Sequence, residues 1–292
     1  MPDRPRFGPA GIPFWFKELK ASTSELPGLL KEQGLDTLEY GAVRWGQKPQ
    51  IKQEEAEKLG KNAEKHDVWL TMHGSYYINL LSDKGTLEAS KKRLIACATA
   101  AQWMKAHTMV FHPGYYSQKQ SHKKDLQNCI KTLKEIAETM QSMNIKVNLG
   151  PETSGKLAQL GSLEEILTIC ENVEQTQPVI DWAHIHARGR GNLRAANDFE
   201  QVVEKIENRL GTTAAKNLHC HFSLIEYTFR GERRHHHLGT PGYGPKFELL
   251  AGVIVNLGLK PVIVSETSLP GEDAKKMRYI FFQKLKSASV LR

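Results

Sequence analysis

Short apolar runs rich in β-branched residues recur along the chain, and each is followed by a longer stretch whose apolar positions return every three or four residues. The runs at Arg6 to Gly11, Thr37 to Val43, Val68 to His73, Thr108 to His112, Lys146 to Glu152, Pro178 to Asp181, Asn217 to Phe222 and Pro261 to Thr267 predict strands. Between them, Ala89 to Lys105 is rich in Ala, Leu and Lys, and Lys124 to Met143 sets Leu126, Ile130, Leu133 and Ile136 at helical spacing. Ser162 ahead of LEEILTICENV predicts an N-cap, with Glu165 at the capping-box position. Asp198 to Arg209 and Lys246 to Leu257 are further amphipathic candidates. Alternation of strand and helix without an inserted domain predicts an α/β fold, a single eight-stranded parallel (β/α) barrel (TIM barrel) over residues 1–292. An open doubly wound sheet is the alternative, but it rarely needs strands of such regularity.

Length and composition agree with that architecture. The chain has 292 residues, the usual size of one α/β barrel, with 40% hydrophobic and 25% charged residues. No apolar run approaches the about 18 residues that a membrane span needs. The start, MPDRPRFGPAGIPFWF, lacks the order of a signal peptide. The four cysteines are scattered without a CxxC pair, against a cysteine zinc module or a secreted disulfide framework. A reducing, cytoplasmic setting is therefore expected. Cys220, between two histidines, is the one cysteine weighed as a ligand, and it is set aside. The net charge of +8 suits a polyanionic partner such as nucleic acid, although lysine-rich stretches such as KKDLQNCIKTLK can equally be solvated surface.

The strand ends carry the chemistry. In a (β/α) barrel the active site lies at the C-terminal ends of the strands. Strands three to six end in His73, His112, Glu152 and Asp181; His184 follows shortly, strand seven carries His219 and His221, and strand eight ends in Glu266. Each residue alone has an ordinary structural explanation, as a hydrogen-bonded histidine or a helix cap. Together they would converge on one axial cavity, where carboxylates without a cation repel one another. A mixture of imidazole and carboxylate suits Zn²⁺, Mn²⁺ or Fe²⁺ rather than Ca²⁺. The segment RGERRHHHLG, Arg230 to Gly239, adds histidines in the loop after strand seven, within reach of His184.

These residues resemble the endonuclease IV family of apurinic/apyrimidinic endonucleases, within the wider xylose-isomerase-like barrel superfamily. The resemblance runs from about His73 to Thr267. It rests on HGSYYINL from His73, FHPG around His112, PET around Glu152, DWAH from Asp181 to His184, His221, RHH with LG after Arg234, and SET around Glu266. It implies a centre of two or three metal ions, usually zinc, with Mn²⁺ or Fe²⁺ as alternatives. His73 and His112 would hold one ion, bridged by Glu152 to a second that Asp181, His221 and Glu266 complete. His184 and His235 would hold the third. Of two inward-facing histidines, His221 is preferred to His219 because it lies nearer the rim. Glu152 and Glu266 are the candidate catalytic residues.

One position departs from the family. An aspartate two residues before the loop histidine normally completes the third site, and here that position is Arg233. The loop from His221 also differs by one residue in length, which leaves room for a register shift that would bring in Glu232. Otherwise water, His186, His236 or His237 must serve, or the third site binds its ion weakly.

The resemblance further implies base excision repair of double-stranded DNA carrying abasic or otherwise damaged nucleotides. The protein would be a monomer, in the cytoplasm at the nucleoid, with no membrane partner. Two close cations can activate water and neutralise a phosphate in an in-line attack, with a third at the leaving oxygen. The expected cut lies 5′ to the abasic site, leaving a 3′-hydroxyl and a 5′-deoxyribose phosphate. Tyr76 and Tyr77 are the candidates for insertion at the lesion, and Arg44, Trp45 and Gln47 form a second candidate DNA-contacting loop. A one-metal sugar isomerase or epimerase on the same barrel is the main rival, since Glu152, Asp181, His221 and Glu266 alone would fit it. A nucleic-acid-binding barrel that has lost a metal, and with it catalysis, is the other, suggested by Arg233.

Overall fold

The computed structural model describes residues 1–19 and 21–290. Eight parallel strands form the barrel: β1 (Arg6–Pro9), β2 (Thr37–Gly41), β3 (Trp69–His73), β4 (Thr108–Phe111), β5 (Asn148–Pro151), β6 (Val179–Asp181), β7 (His219–Phe222) and β8 (Val262–Ser265). They pair as two arcs, β2–β3–β4–β5 and β6–β7–β8–β1. Parallel bridges at Ala10–Glu39 and Glu152–Val179 close the two seams. Every expected strand forms, each shorter by one to three residues than the apolar run that announced it.

Helices cover the outside because each strand is followed by a chain segment with one apolar stripe. The helix His122–Ser142 turns Cys129, Leu133, Ile136 and Met140 inward, and Ser121 caps it by accepting from the Lys124 amide. Ser162 and Glu165 form the expected capping box of helix Leu163–Asn172. Asp83 caps Lys84–Trp103 by accepting from the amides of Gly85 and Thr86. The last helix, Pro270–Val290, returns to the first strand, with the ring of Phe281 5.5 Å from that of Phe7.

Two features bear on the barrel mouth. After β7 the chain does not run as an open loop but forms an antiparallel hairpin, Leu224–Thr228 with Gly231–His236. Inside the barrel, the layer beneath the mouth is polar: Glu39, Thr71 and His219 lie where branched apolar side chains usually fill such a core.

The β1–β2 seam is tight. A Cβ on Gly8 would lie 1.8 Å from the Thr37 carbonyl oxygen, so no side chain fits without moving the backbone. Gly8→Ala is therefore expected to cost about 1–3 kcal/mol, which calorimetry would register as a fall in Tm on the order of 5 °C. An unchanged Tm would contradict this account of the seam.

Candidate metal centre at the barrel mouth

The candidate ligands meet because strand ends and the first residues beyond them face the axis. Glu152 follows β5, His112 follows β4, and His73 ends β3. The Nε2 atoms of His73 and His112 each lie 3.4 Å from Glu152 Oε2. The other oxygen, Oε1, stands 3.1 Å from His221 Nδ1, and that nitrogen is 3.4 Å from Glu266 Oε1. Glu152, wholly buried, thus offers one oxygen to each of two neighbouring donor sets.

Asp181 ends β6 and caps the short helix Trp182–Arg188, its Oδ1 accepting from the His184 amide at 2.8 Å. That cap fixes where His184 stands. The second oxygen, Oδ2, is buried with no hydrogen-bond partner, and so is Glu152 Oε2. Orphaned carboxylate oxygens in a dry site are costly unless a cation meets them. Asp181 Oδ2 fits a metal beside Glu152, His221 and Glu266, and Glu152 Oε2 fits one beside His73 and His112.

A third set lies between the loops. His184 Nδ1 donates to the Thr153 carbonyl at 2.8 Å, and His235 Nδ1 lies 3.2 Å from the Glu266 carbonyl and 2.9 Å from Ser223 Oγ. With both Nδ1 atoms so engaged, the two Nε2 atoms face each other at 3.2 Å. Asp181 is the carboxylate that groups with both imidazoles, and Glu232 Oε2 stands 3.3 Å from His184 Nε2.

Glu232 reaches the site through a β-bulge. Glu226 pairs with Arg234 but Tyr227 pairs with Glu232, so Arg233 is the extra residue on its strand. In a regular strand the residue two before His235 shares its face. The bulge moves that face one position back, so Glu232 points inward and Arg233 points out to Glu226. The register therefore turns Glu232, and not Arg233, toward His184. His186, His236 and His237 are engaged elsewhere: His186 accepts from the Leu193 amide, His236 stacks on Tyr243, and His237 lies against the Leu238 carbonyl.

The charges behave as a cluster that expects compensation. Burial disfavours the charged form of Glu152, yet His112 and His221 hold its carboxyl well below the ordinary range. Burial raises the Glu266 carboxyl despite His221, and Glu152 adds to the rise. His73 is pushed up to about 9, burial being outweighed by the nearby Glu152 carboxylate and by Glu39 and Glu266. His184 and His221 are likewise driven well up against burial, by Asp181 for the first and Glu39 for the second. Burial takes His112 down to about 4, against the pull of Glu152. Protons on imidazoles here balance carboxylates that a divalent cation would balance directly.

Glu39 is a further buried carboxylate of the barrel interior that position near a strand end does not reveal. It lies in the middle of β2, wholly buried, with Oε2 accepting from Thr71 Oγ1 at 3.0 Å and standing 3.0 Å from His219 Nε2 and 3.1 Å from His221 Nε2. The apolar run had placed the end of that strand at Val43, two residues beyond Gly41, so Glu39 did not count as near the rim. His219 points to Glu39 and its Nδ1 has no partner, whereas His221 meets Glu152 and Glu266. Cys220 faces the opposite way, buried near Trp182, with burial pushing its thiol up to about 12.

At the rim, Tyr76 and Tyr77 are exposed; the Tyr76 ring sits edge-on 5.3 Å from His73, and Arg93 lies over Tyr77. Arg44 and Gln47 are also exposed. Trp45 is a correction: it is 7% exposed, packed against Tyr40, and cannot reach a polymer without leaving the core.

The chain belongs to the xylose isomerase-like TIM barrel family, whose model matches residues 27–280. An uncharacterized protein of Methanocaldococcus jannaschii is 36% identical over 232 residues, covering 78% of this chain and 80% of that protein. Among solved structures, endonuclease IV from Thermus thermophilus has a TM-score of 0.69 at 18% identity, covering 97% of this chain and 100% of that one. A D-tagatose 3-epimerase-like protein has a TM-score of 0.67 at 20% identity, covering 97% and 98%. The 3-keto-D-glucoside 4-epimerase of E. coli has 0.67 at 13%, covering 97% and 100%. At these identities the likeness is one of fold.

Zinc titration of the metal-free protein tests the bulge. Glu232→Ala is expected to weaken the weakest-bound equivalent at least about tenfold, and Arg233→Ala to leave it unchanged. Gly155→Ala should act like the first, since its Cβ would lie 2.6 Å from Glu232 Cβ. Equal effects of Glu232→Ala and Arg233→Ala would contradict the assignment.

Proposed function

We propose that the chain is a metal-dependent DNA repair endonuclease of the endonuclease IV type, hydrolysing the phosphodiester 5′ to abasic sites to leave a 3′-hydroxyl and a 5′-deoxyribose phosphate. The observation that carries the reading is a third donor group, Asp181, His184 and His235 with Glu232 3.3 Å from His184, beside two sets joined by Glu152. A barrel that moves protons on a sugar with one metal has no use for it. The proposed ions are Zn²⁺, two or three in number, with Mn²⁺ or Fe²⁺ able to serve the same donors.

Bound there, such ions would supply charge neutralisation for the phosphate and lower the pKa of water. The chain's residues do the rest. Glu152 commits both oxygens to neighbouring sets, so its work is to hold them together. Glu266, whose side chain is 17% exposed, reaches the mouth and is the carboxylate placed to carry a proton of the attacking water at Oε1. Tyr76 and Tyr77 at the rim, with Arg44 and Gln47, are the proposed contacts to duplex DNA at the lesion, and the net charge of +8 assists approach. We take the chain to act as a single-barrel monomer in the cytoplasm at the nucleoid; among the described residues no helix is long and apolar enough to cross a membrane.

A second reading has its own observation. Glu152, Asp181, His221 and Glu266 form a complete donor set with two glutamates, which by itself would serve a one-metal sugar isomerase or epimerase. The loss-of-metal reading has less support, since the bulge turns Glu232 toward His184 where the sequence had offered Arg233.

Incision of a duplex carrying one tetrahydrofuran abasic analogue by zinc-loaded protein separates these readings. The expected result is a single cut 5′ to the analogue, slowed about a hundredfold or more by His112→Ala. No incision, together with epimerisation of a ketohexose that survives His112→Ala, would replace the nuclease by the sugar enzyme.

A further inference from the structure

We propose that Glu39 is a positioning residue that accepts the Nε2–H of His221 and so directs the His221 Nδ1 lone pair toward Glu152, Asp181 and Glu266. The inference rests on the metal-centre reading above and adds a residue that it did not contain.

The geometry comes from two layers of the barrel. Glu39 on β2 lies in register with Thr71 on β3, one layer below His73. His219 and His221, two apart on β7, both face inward, one in each layer. The Glu39 carboxylate sits between them, 3.0 Å from His219 Nε2, with its two oxygens 3.0 and 3.1 Å from His221 Nε2. Thr71 Oγ1 donates to the same group at 3.0 Å. The three contacts meet at Oε2, while Oε1, 3.0 Å from His221 Nε2, has no hydrogen-bond partner of its own.

A neutral imidazole carries one N–H. If it is committed at Nε2 to Glu39, Nδ1 is left without a proton, and that is the nitrogen facing the second donor set. The carboxylate also makes the ring a stronger donor, as partners beyond the ligands commonly do. His219 is then the residue that clamps Glu39, which explains why a second inward histidine stands on the same strand without reaching the mouth.

The test uses full-length protein with ¹⁵N-labelled histidine, as wild type, Glu39→Ala and Glu39→Gln, each checked for folding by circular dichroism. In zinc-loaded wild type the His221 ring is expected to show a protonated Nε2 and a metal-shifted Nδ1. Glu39→Ala should lose the Nε2 proton signal and bind zinc about ten- to a hundredfold more weakly. Glu39→Gln, which can still accept from Nε2–H, should keep the tautomer and fall between the two in affinity, so it decides the matter if the alanine variant does not fold. Unchanged zinc affinity and an unchanged His221 spectrum in a folded variant would overturn the proposal while leaving the metal centre standing. A zinc ion held by Glu39, His219 and His221, with Nε2 metal-bound, would also overturn it. Wild type that binds no zinc would overturn the metal-centre reading, and this proposal with it.

Discussion

The carboxylate of Glu152 is the constraint on which the site depends. It is fully buried, it is held ionised, and its two oxygens face different groups of imidazoles. Moving such a charge out of water costs several kcal/mol unless partners restore it. Everything around it can be understood as restoration. His73 and His112 approach one oxygen, His221 the other, and burial, with the charge of Glu152, raises the carboxyl of Glu266 beside it. A barrel supplies this arrangement because its strands bring residues from distant parts of the sequence to one rim. The β5–β6 seam beside Glu152 is closed by the Glu152–Val179 bridge itself.

Most of the inward-facing nitrogens are prepared by what the opposite side of the ring does. His73 Nδ1 meets the Gly74 carbonyl, His184 Nδ1 meets Thr153, His235 Nδ1 meets Glu266, and His221 Nε2 meets Glu39. His112 is the exception, its Nδ1 being buried without a partner. Asp181 follows the same rule, with one oxygen spent on the helix cap and one free. At His73 and His184 the second contact is a backbone carbonyl, so the fold itself orients these ligands, whereas His221 relies on the Glu39 side chain. Rings held in this way lose little freedom when a cation arrives, which favours tight binding.

Much of this was legible in the sequence, and what was not has identifiable reasons. The alternation of short apolar runs with amphipathic stretches was enough for eight strands, because each buried strand needs its own helix to cover it. The strand-end histidines and carboxylates could be named because barrel geometry makes chain position near a strand end equivalent to position near the mouth. Glu39 escaped since its strand ends at Gly41, earlier than the apolar residues suggested. Trp45 read as a rim aromatic but packs on Tyr40, a tertiary choice that no local pattern records. The hairpin Leu224–His236 lacks clean alternation because one of its strands is bulged. That same bulge exchanges Arg233 for Glu232, and spacing alone could only leave the two open.

The central claim is that three donor sets at one barrel mouth, two of them joined by Glu152, hold separate ions. Anomalous diffraction at the zinc edge from crystals of the zinc-loaded protein measures this directly. The account predicts one peak beside His73 and His112, one among Asp181, His221 and Glu266, and one between His184, His235 and Glu232. A single peak among Glu152, Asp181, His221 and Glu266, with none at His184 and His235 under excess zinc, would contradict it.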